Sequence, residues 1–420
     1  MPINTGMEEK ITRELVRKLP KTDLHVHMDG SIRVATLIEL AREAHVELPS
    51  YSENGLRETV FKESYKNLEE YLTGFGLTCE VMQNREQLER IAYELAVDNQ
   101  IEGVRYIEVR FAPQLHSRKN FDTLSVMRAV CDGMERAKKE FNARPEVVEG
   151  LEPPFDYGII ACALRFFNEH FSVFHRSFVE LHRYSNPERV YAMASLELAQ
   201  AAAVARHREG LPVVGFDLAG PEAGYPPHHH QEAYEYVHRH FLQKTVHAGE
   251  AYGPESIFKA ITELHADRIG HGTSLFNPRA VQDPDIEDKE RYVSDLAQFI
   301  ADRRITLEIC LTSNQQTNPA YRDLSKHPFG EMMKHRLSVT LCTDNRTVSN
   351  TTVTEEIYKA VEGFGLGMKD LKNLVVYGFK RSFFPRSYRE KREYVRRCMN
   401  YFEKVISEHD FEDQLALPIR

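Results

Sequence analysis

Five residues of types that bind metals or move protons lie at or just after the ends of short hydrophobic segments. His25 and His27 belong to LHVHMDG, His247 to TVHAGE, His271 to IGHGT and Asp344 to LCTDN. Alternate residues of a β-strand face the same side, so both imidazoles of an H-x-H pair can meet one ion. Imidazole nitrogens with a carboxylate oxygen suit a borderline divalent cation, and zinc fits that donor set best. The pattern predicts a zinc site that activates water.

The same pattern divides these residues by role. We expect four of them to bind the metal, with water as a fifth ligand: His25, His27, His247 and Asp344. Glu250 lies three residues after His247, and His271 follows the neighbouring predicted strand, so both could reach the water or a substrate without binding the metal. An H-x-H pair alone gives weak support for a metal. Donor residues at four separate strand ends give strong support.

Eight short segments rich in apolar and β-branched residues are predicted to be strands, each followed by a helical pattern. They lie near residues 23–27, 104–111, 157–164, 211–217, 244–247, 267–270, 305–310 and 338–343. This alternation predicts an α/β fold, a (β/α)8 TIM-type barrel, in which functional residues gather at the carboxyl ends of the strands. All five residues above fall at such ends.

Additional helices are predicted in three places. Helical patterns at 31–45 and 86–102 exceed what one connection between strands needs, so we expect extra helices over the barrel mouth. Residues 1–20 and those after 354 are also helical in pattern, and the basic segment near the C-terminus is interpreted as a solvated helix face. No segment resembles a linker, and residues 1–420 are therefore expected to form a single domain.

Composition excludes several functional classes. The net charge of −9 argues against a nucleic-acid partner, and no run of about 18 apolar residues predicts a membrane span. The N-terminus lacks the apolar region of a signal peptide, and the six cysteines form no C-x-x-C pair. We therefore expect a cytoplasmic protein. The run of three histidines at 228–230, His228, His229 and His230, is interpreted as a loop or the start of a helix. The zinc signature of cytidine deaminases is absent, because the sequence contains no P-C-x-x-C.

The chain resembles the adenosine deaminase family of the metal-dependent amidohydrolase superfamily. The matching segments are KTDLHVHMDGSI, RIAYELAVDNQIEGVRYIEVRFAP, VVGFDLAGPE, KTVHAGE, DRIGHGT, LEICLTSN and VTLCTDN, with a weaker match through GFKRSFFP. Together they span about residues 15 to 385. The resemblance implies one zinc ion per chain and hydrolysis of adenosine, and of 2′-deoxyadenosine, to inosine or 2′-deoxyinosine plus ammonia in purine salvage.

The resemblance also implies roles for individual residues. The four expected ligands match the family's zinc ligands. Glu250 is similar to the residue that protonates purine N1, and His271 to the one that orients and deprotonates the zinc-bound water. Gly220 matches the glycine whose backbone meets purine N3. Asp29 matches the aspartate that holds the ribose 5′-hydroxyl.

Two further features bear on substrate binding. NLEEYLTGF aligns with the family's apolar gate and offers four residues at i, i+3, i+4 and i+7: Leu68, Tyr71, Leu72 and Phe75. The same spacing is typical of an ordinary core face of a helix. Asn345 stands where the family often has a second aspartate facing purine N7. An amide carries permanent donors, so we expect Asn345 to serve N7, the alternative being a cap of the loop after strand eight.

Alternative functions remain open at this stage. Relatives that deaminate free adenine usually carry Glu at the position of Asp29, and the shorter Asp favours a nucleoside. Adenine, N6-methylated nucleotides such as N6-methyl-AMP, and aminofutalosine stay as alternative substrates. A binuclear amidohydrolase would need a bridging carboxylate or lysine at strand four, where VVGFDLAG offers no lysine. A secreted growth-factor-like relative and an inactive adenosine-binding scaffold are less favoured, and the oligomeric state stays open.

Overall fold

The chain is built around a barrel of eight parallel strands, seen in a computed structural model that describes residues 10–409. Each strand pairs with the next along the chain. The strands are β1 (Lys21–His27), β2 (Val104–Phe111), β3 (Asp156–Leu164), β4 (Val213–Ala219), β5 (Gln243–Ala248), β6 (Arg268–His271), β7 (Thr306–Ile309) and β8 (Ser338–Leu341). The His27 amide donates to the Asp344 carbonyl (2.7 Å), which joins the end of β1 to the segment after β8. This nearly closed barrel confirms the predicted (β/α)8 fold.

Helices follow the strands and cover the outside of the barrel. Within the described residues they are α1 (Arg13–Lys18), α2 (Val34–Ala44), α3 (Glu53–Thr59), α4 (Leu68–Leu72), α5 (Gly74–Glu80), α6 (Arg85–Ile101), α7 (Thr123–Asn142), α8 (Pro145–Val148), α9 (Val173–Leu181), α10 (Pro187–His207), α11 (Gln231–Arg239), α12 (Pro254–Thr262), α13 (Lys289–Arg303), α14 (Leu311–Thr317), α15 (Phe329–Lys334), α16 (Val353–Phe364), α17 (Met368–Arg381) and α18 (Tyr388–Ser407). Helices α2 to α6 lie between the first two strands, and α2 and α6 correspond to the helical patterns predicted at 31–45 and 86–102. The ends of the expected 1–420 domain, and the first nine residues of the helix predicted at 1–20, lie outside the described residues.

The strands are buried on both faces because helices pack against the outside of the barrel. Every residue of β1, β2 and β4 is buried, and apolar residues such as Ile107, Val246 and Leu307 belong to one continuous core. Charged side chains nevertheless lie at the barrel centre. Arg268 pairs with Glu308 (2.5 Å), and both side chains are almost fully buried. Buried charges must be paired, so this centre can adopt few alternative arrangements.

Strand β1 begins two residues before its predicted start, at Lys21. The Lys21 amine is buried and donates to the carbonyls of Val16 (2.8 Å), Arg17 (3.0 Å) and Leu19 (2.9 Å). These are free carbonyls at the C-terminal end of α1, where a cation is favourable. Burial lowers the pKa of Lys21 to about 7. The lysine thus fixes the first strand against the helix that precedes it.

Several smaller expectations can be compared with the structure. A 3₁₀ turn at Pro227–His230 leads directly into α11, so the histidine run is a helix start, and His230 is buried 2.8 Å from the Ser195 hydroxyl. All six cysteines are buried and free. Helix α18 buries apolar residues such as Phe402 and leaves Arg396 exposed. No helix within residues 10–409 is both long enough and apolar enough to cross a membrane.

Candidate metal centre and substrate cavity

The four predicted ligands converge at the carboxyl ends of β1, β5 and β8. His27 Nε2 lies 3.2 Å from His247 Nε2, and Asp344 Oδ1 lies 3.5 Å from His25 Nε2 and 3.6 Å from His27 Nε2. Donors about 2.0–2.1 Å from a tetrahedral zinc ion are separated by roughly 3.3 Å, close to these distances. His25 Nε2 is buried and has no hydrogen-bond partner in the part of the chain that the structure describes. These four residues therefore fit a zinc ion.

Two carboxylates orient two of the histidines. His25 Nδ1 lies 2.8 Å from Glu308 Oε2, and His247 Nδ1 lies 3.1 Å from Asp217 Oδ2. A carboxylate bound to Nδ1 keeps the proton there, so that the Nε2 lone pair faces the centre. Arg110 donates to both carboxylates, to Asp217 and to Glu308, each at 2.8 Å. One guanidinium thus connects the partners of two histidines that are expected to bind the metal.

The charges of this supporting network are strongly coupled. Burial by itself would raise the pKa of Glu308, but Arg110 and Arg268 outweigh it and hold that pKa well below its usual range. Burial would likewise raise the pKa of Asp217, but the interaction with His247, which includes a hydrogen bond, and the charge of Arg110 lower it instead. Both groups are therefore carboxylates, which is the form that accepts hydrogen bonds from the histidines.

Asp344, the expected fourth ligand, is held in an unusual backbone conformation. Its φ is +60°, a region that side-chain-bearing residues seldom adopt, and the hydroxyl of Ser313 donates to its Oδ2 at 2.6 Å. That bond directs Oδ1 toward the histidines. Gly270 is needed beside the same centre, because a Cβ there would lie 2.9 Å from His25 Cε1. Strained backbone of this kind is typical of functional sites.

Glu250 and His271, the two predicted catalytic residues, face each other beside the metal centre. Glu250 Oε2 lies 3.7 Å from His271 Nε2. Burial raises the pKa of Glu250 well above its usual range, and the negative charges of Asp344 and Glu222 add to that effect. Glu250 is therefore a neutral carboxylic acid that can donate a proton.

Glu222, which sequence reasoning did not single out, fixes the segment that carries Glu250. Its carboxylate accepts hydrogen bonds from three successive amides, those of Gly249 (2.7 Å), Glu250 (3.0 Å) and Ala251 (2.8 Å). Charge-assisted bonds of this kind are stronger than neutral ones. The loop after β5 is thus bound to the loop after β4, and the acid is held in place.

A cavity of about 730 Å³ opens above the centre and brings the predicted substrate-binding residues together. They are Asp29, Gly220, Asn345, Leu68, Tyr71, Leu72 and Phe75, and the same cavity is lined by His27, His247, Glu250, His271 and Asp344. Asp29 is buried, and its Oδ1 has no hydrogen-bond partner. Gly220 has a φ of +100°, which favours glycine.

The four residues of the expected gate do not share one helix. Leu68, Tyr71 and Leu72 belong to α4, whereas Phe75 belongs to α5, because the first helix ends before Gly74. Tyr71 is 2% exposed, and its hydroxyl lies 2.7 Å from the hydroxyl of Ser349. The interpretation of these four residues as one face of a single helix is therefore wrong. Tyr71 is a buried polar contact, while the other three are partly buried.

The side chain of Asn345 makes one hydrogen bond within residues 10–409. Its Nδ2 donates to the Tyr71 hydroxyl at 2.8 Å, while its Oδ1 is buried without a partner. The side chain makes no hydrogen bond to the backbone of the loop after β8 among those in the described residues. The second N–H of the Asn345 amide is therefore not used by Tyr71. Its hydrogen bond to purine N7 stays a prediction.

Sequence comparison places the chain among known proteins. The model of the family described as "Adenosine deaminase" matches residues 20–397. Adenosine deaminase 1 of Streptomyces coelicolor is 36% identical over 376 residues, which cover 88% of this chain and 84% of that protein. A probable adenosine deaminase of Dictyostelium discoideum is 33% identical over 398 residues, which cover 94% of this chain and 45% of that protein.

Solved structures share the architecture. An amidohydrolase from Burkholderia ambifaria with bound zinc has a TM-score of 0.72 at 18% identity and covers 96% of each chain. The N6-methyl-AMP deaminase of Arabidopsis thaliana has a TM-score of 0.69 at 24% identity, over 95% of this chain and 100% of that chain. These likenesses show the fold. Because the family model spans most of the sequence and the S. coelicolor relative matches along most of both chains, this chain belongs to the adenosine deaminase family.

Proposed function

We propose that the protein hydrolyses adenosine, and 2′-deoxyadenosine, to inosine or 2′-deoxyinosine plus ammonia. The observation that carries the proposal is the placement of the Glu250 carboxyl group 3.7 Å from His271, in one cavity with His27, His247 and Asp344, three of the four side chains that could hold a metal ion. Hydrolytic removal of an amine from an aromatic ring needs both an activated water and an acid for the ring nitrogen. The relatives named adenosine deaminase support the same activity.

The resident metal in this proposal is one zinc ion per chain, held by His25, His27, His247 and Asp344. Three imidazoles and one carboxylate match the ligand types of zinc, and the structure fixes the orientation of their donor atoms. A zinc ion bound there lowers the pKa of water toward about 7 and so supplies a nucleophile at neutral pH. The two orienting carboxylates, Asp217 and Glu308, keep the imidazoles ready to bind it.

Glu250 acts at purine N1 in this mechanism. Addition of the water oxygen to C6 breaks the aromaticity of the ring, so the electron pair that moves to N1 must be met by a proton. Burial keeps the proton on Glu250 until substrate binds. The C6–N6 bond then breaks, ammonia leaves, and the carbonyl of inosine forms, so that adenosine and one water balance inosine and one ammonia.

Three other cavity residues bind and orient the nucleoside. The buried Asp29 Oδ1, which has no hydrogen-bond partner among residues 10–409, accepts a hydrogen bond from the ribose 5′-hydroxyl. The Gly220 backbone meets purine N3, and Asn345 donates to N7. The partly buried Leu68, Leu72 and Phe75 cover the bound ligand and exclude water. His271 contacts the reacting oxygen.

A related 6-aminopurine remains the alternative substrate. Arg176 and His170 line the same cavity, and these side chains suit a phosphate such as that of N6-methyl-AMP. The negative charge that Asp29 acquires on ionisation disfavours such a phosphate nearby. Adenine and aminofutalosine are further alternatives, and the secreted growth-factor-like relative is the least favoured.

One experiment tests the proposal. Purified protein is incubated with adenosine, 2′-deoxyadenosine, adenine, N6-methyl-AMP and aminofutalosine, and ammonia release is followed together with the ultraviolet shift of the base. The highest kcat/KM is expected for the two nucleosides. A higher value for any other member of the panel would refute the assignment.

We further propose that the chain forms a single domain over residues 1–420, takes no nucleic-acid or membrane partner, and works in cytoplasmic purine salvage. Its free, buried cysteines suit the reducing conditions of that compartment.

A further inference from the structure

A second group of side chains able to bind a metal lies at the wall of the substrate cavity. Asp29, Cys79 and His116 each offer one donor atom, and the three atoms lie within 4.8 Å of one another. Asp29 follows β1, Cys79 belongs to α5, and His116 follows the 3₁₀ turn Pro113–Leu115 after β2. Asp29 and Cys79 line the cavity, so a solute there can reach these three residues, which we call the wall cluster.

Buried polar atoms of the wall cluster lack partners. His116 is fully buried, and within residues 10–409 neither of its ring nitrogens has a hydrogen-bond partner. The same holds for Oδ1 of the buried Asp29, which lies 3.8 Å from His27 Nδ1, too far for a hydrogen bond. Buried polar groups are nearly always paired, so unpaired atoms on two neighbouring side chains indicate a binding site for a polar or charged ligand.

His116 has the protonation state that a cation needs. Burial lowers the pKa of its ring to about 4, and the Met82 carbonyl opposes this effect. The ring is therefore neutral near pH 7 and keeps one nitrogen lone pair. The Met82 carbonyl acts on the ring without a hydrogen bond of ordinary geometry. Backbone carbonyls of this kind commonly accept the remaining N–H of a histidine that binds a metal.

We propose that the wall cluster is a second metal site, which takes a thiophilic divalent cation such as cadmium, or zinc in excess. Thiolate, imidazole and carboxylate donors are the ligand types of such ions. The negative charges of the Asp29 carboxylate and the Cys79 thiolate balance a divalent cation, and a neutral His116 leaves that balance unchanged. Protons on the two acidic ligands pass to the solvent when the cation binds.

The geometry of the wall cluster needs only a small adjustment. Zinc binds nitrogen, oxygen and sulfur at about 2.0–2.3 Å. Three donors no more than 4.8 Å apart share a central point at most about 2.8 Å from each, so each must move by less than about 1 Å. Three protein ligands leave the fourth position of a tetrahedral ion to water, as at other zinc sites that solutes can reach.

A cation in the wall cluster should inhibit the proposed reaction. It binds the Asp29 carboxylate, which is proposed to accept the ribose 5′-hydroxyl, so the cation and the nucleoside compete for one group. This consequence rests on the proposed function, whereas the metal site itself does not. The wall cluster would then make the enzyme sensitive to the concentration of thiophilic cations.

Equilibrium dialysis of the zinc-loaded protein against cadmium tests the site without an enzyme assay. We expect one cadmium per chain in addition to the retained zinc, together with the ultraviolet charge-transfer band of a cadmium thiolate. Cys79→Ala and His116→Leu should each lower the affinity for cadmium at least about 100-fold, since removal of a ligand costs more than the 10- to 100-fold typical of an orienting partner.

Cys162→Ala is the matched control for this measurement. Cys162 also lines the cavity and lies beside a carboxylate, with its Sγ 3.7 Å from Asp217 Oδ2, but it does not belong to the wall cluster. Its variant should keep wild-type affinity for cadmium. Cadmium that displaces the zinc, the absence of a thiolate band, or equal affinity in the wild type and Cys79→Ala would overturn the proposal, and water would then be the partner of the unpaired atoms.

Inhibition kinetics with adenosine test the consequence. In the wild type, cadmium should raise KM with little effect on kcat. Cys79→Ala should keep wild-type activity without cadmium and should need at least about 100-fold more cadmium for half inhibition. Equal sensitivity of both proteins would place the inhibitory cadmium at the first metal centre and overturn the inhibitory role. If adenosine proves not to be the substrate, the dialysis result still decides whether the wall cluster binds a metal.

Discussion

Asp217→Asn should weaken zinc binding without removing any metal ligand. Asp217 holds His247 through Nδ1 at 3.1 Å and accepts from Arg110 at 2.8 Å. An amide at this position has one oxygen where the carboxylate has two, so it accepts hydrogen bonds from His247 and Arg110 less well than the carboxylate does. Loss of such an orienting partner typically costs 10- to 100-fold in metal affinity, or about 1.4–2.7 kcal/mol. We therefore expect zinc affinity to fall by that factor.

Competition with a chromophoric zinc chelator measures this affinity at equilibrium. Asp156→Asn is the matched control: Asp156 is also buried and paired with cations, Lys138 (3.0 Å) and Arg386, but it begins β3 at the opposite end of the barrel. The control should keep wild-type affinity. Glu308→Gln should resemble Asp217→Asn, and because Arg110 joins the two carboxylates, the double variant should lose less than the two single losses combined. Wild-type affinity in Asp217→Asn, or an equal loss in Asp156→Asn, would refute the reasoning.

Four other outcomes can be measured on the same protein. Glu250→Gln should retain zinc but lose about 10²–10⁴-fold in rate, because an amide delivers no proton to N1; loss of zinc instead would make Glu250 a ligand. Asp29→Ala should raise KM for adenosine far more than for adenine, and equal effects would contradict a contact with the 5′-hydroxyl. Asn345→Ala should cost about 1–3 kcal/mol on adenosine but little more on 7-deazaadenosine, whereas equal losses on both would exclude the N7 contact. Burial lowers the pKa of His116 from 6.5 to about 4, so its contribution to the stability of the fold is fully present above pH 6.5 and is lost as the pH falls toward 4. Between pH 7 and pH 5, the free energy of unfolding measured by chemical denaturation should therefore fall by about 2 kcal/mol less in His116→Leu than in the wild type. An equal fall in both proteins would mean that His116 does not titrate as described.

The strands and the convergence of the four expected metal ligands could be predicted because their signals are local. A period of two places His25 and His27 on one side of β1, and the barrel gathers the ends of parallel strands at one rim. His247 and Asp344 then follow from their position after a hydrophobic run. Each of these inferences needs only the residue and its own segment, so no knowledge of contacts between distant strands was required.

The supporting network could not be predicted in the same way. Arg110, Asp217 and Glu308 come from three strands, and only the folded barrel shows which of them meet. A signal was nevertheless present, since each is a charged residue inside an apolar strand and a buried charge requires a partner.

The expected gate shows a different difficulty. Its hydrophobic spacing was visible in the sequence, but that spacing is compatible with more than one local structure. Tyr71 and Phe75 are four residues apart, a spacing that predicts one helical face, yet Gly74 begins a separate helix between them. A tyrosine hydroxyl also needs a partner when it is buried, and here it finds Asn345 and Ser349. Hydrophobic periodicity could not reveal that contact because it comes from the loop after β8.

Charge balance explains why the barrel centre should be completed by a divalent cation. Two guanidinium groups, those of Arg110 and Arg268, share the buried centre with four carboxylates: Glu108, Asp217, Glu308 and Asp344. With neutral histidines this leaves an excess of two negative charges, which a divalent ion neutralises. Uncompensated buried charge is costly, so a divalent cation would be favourable beside these carboxylates. Asp217→Asn removes one of those negative charges as well as an orienting contact, and both effects lower the affinity for zinc.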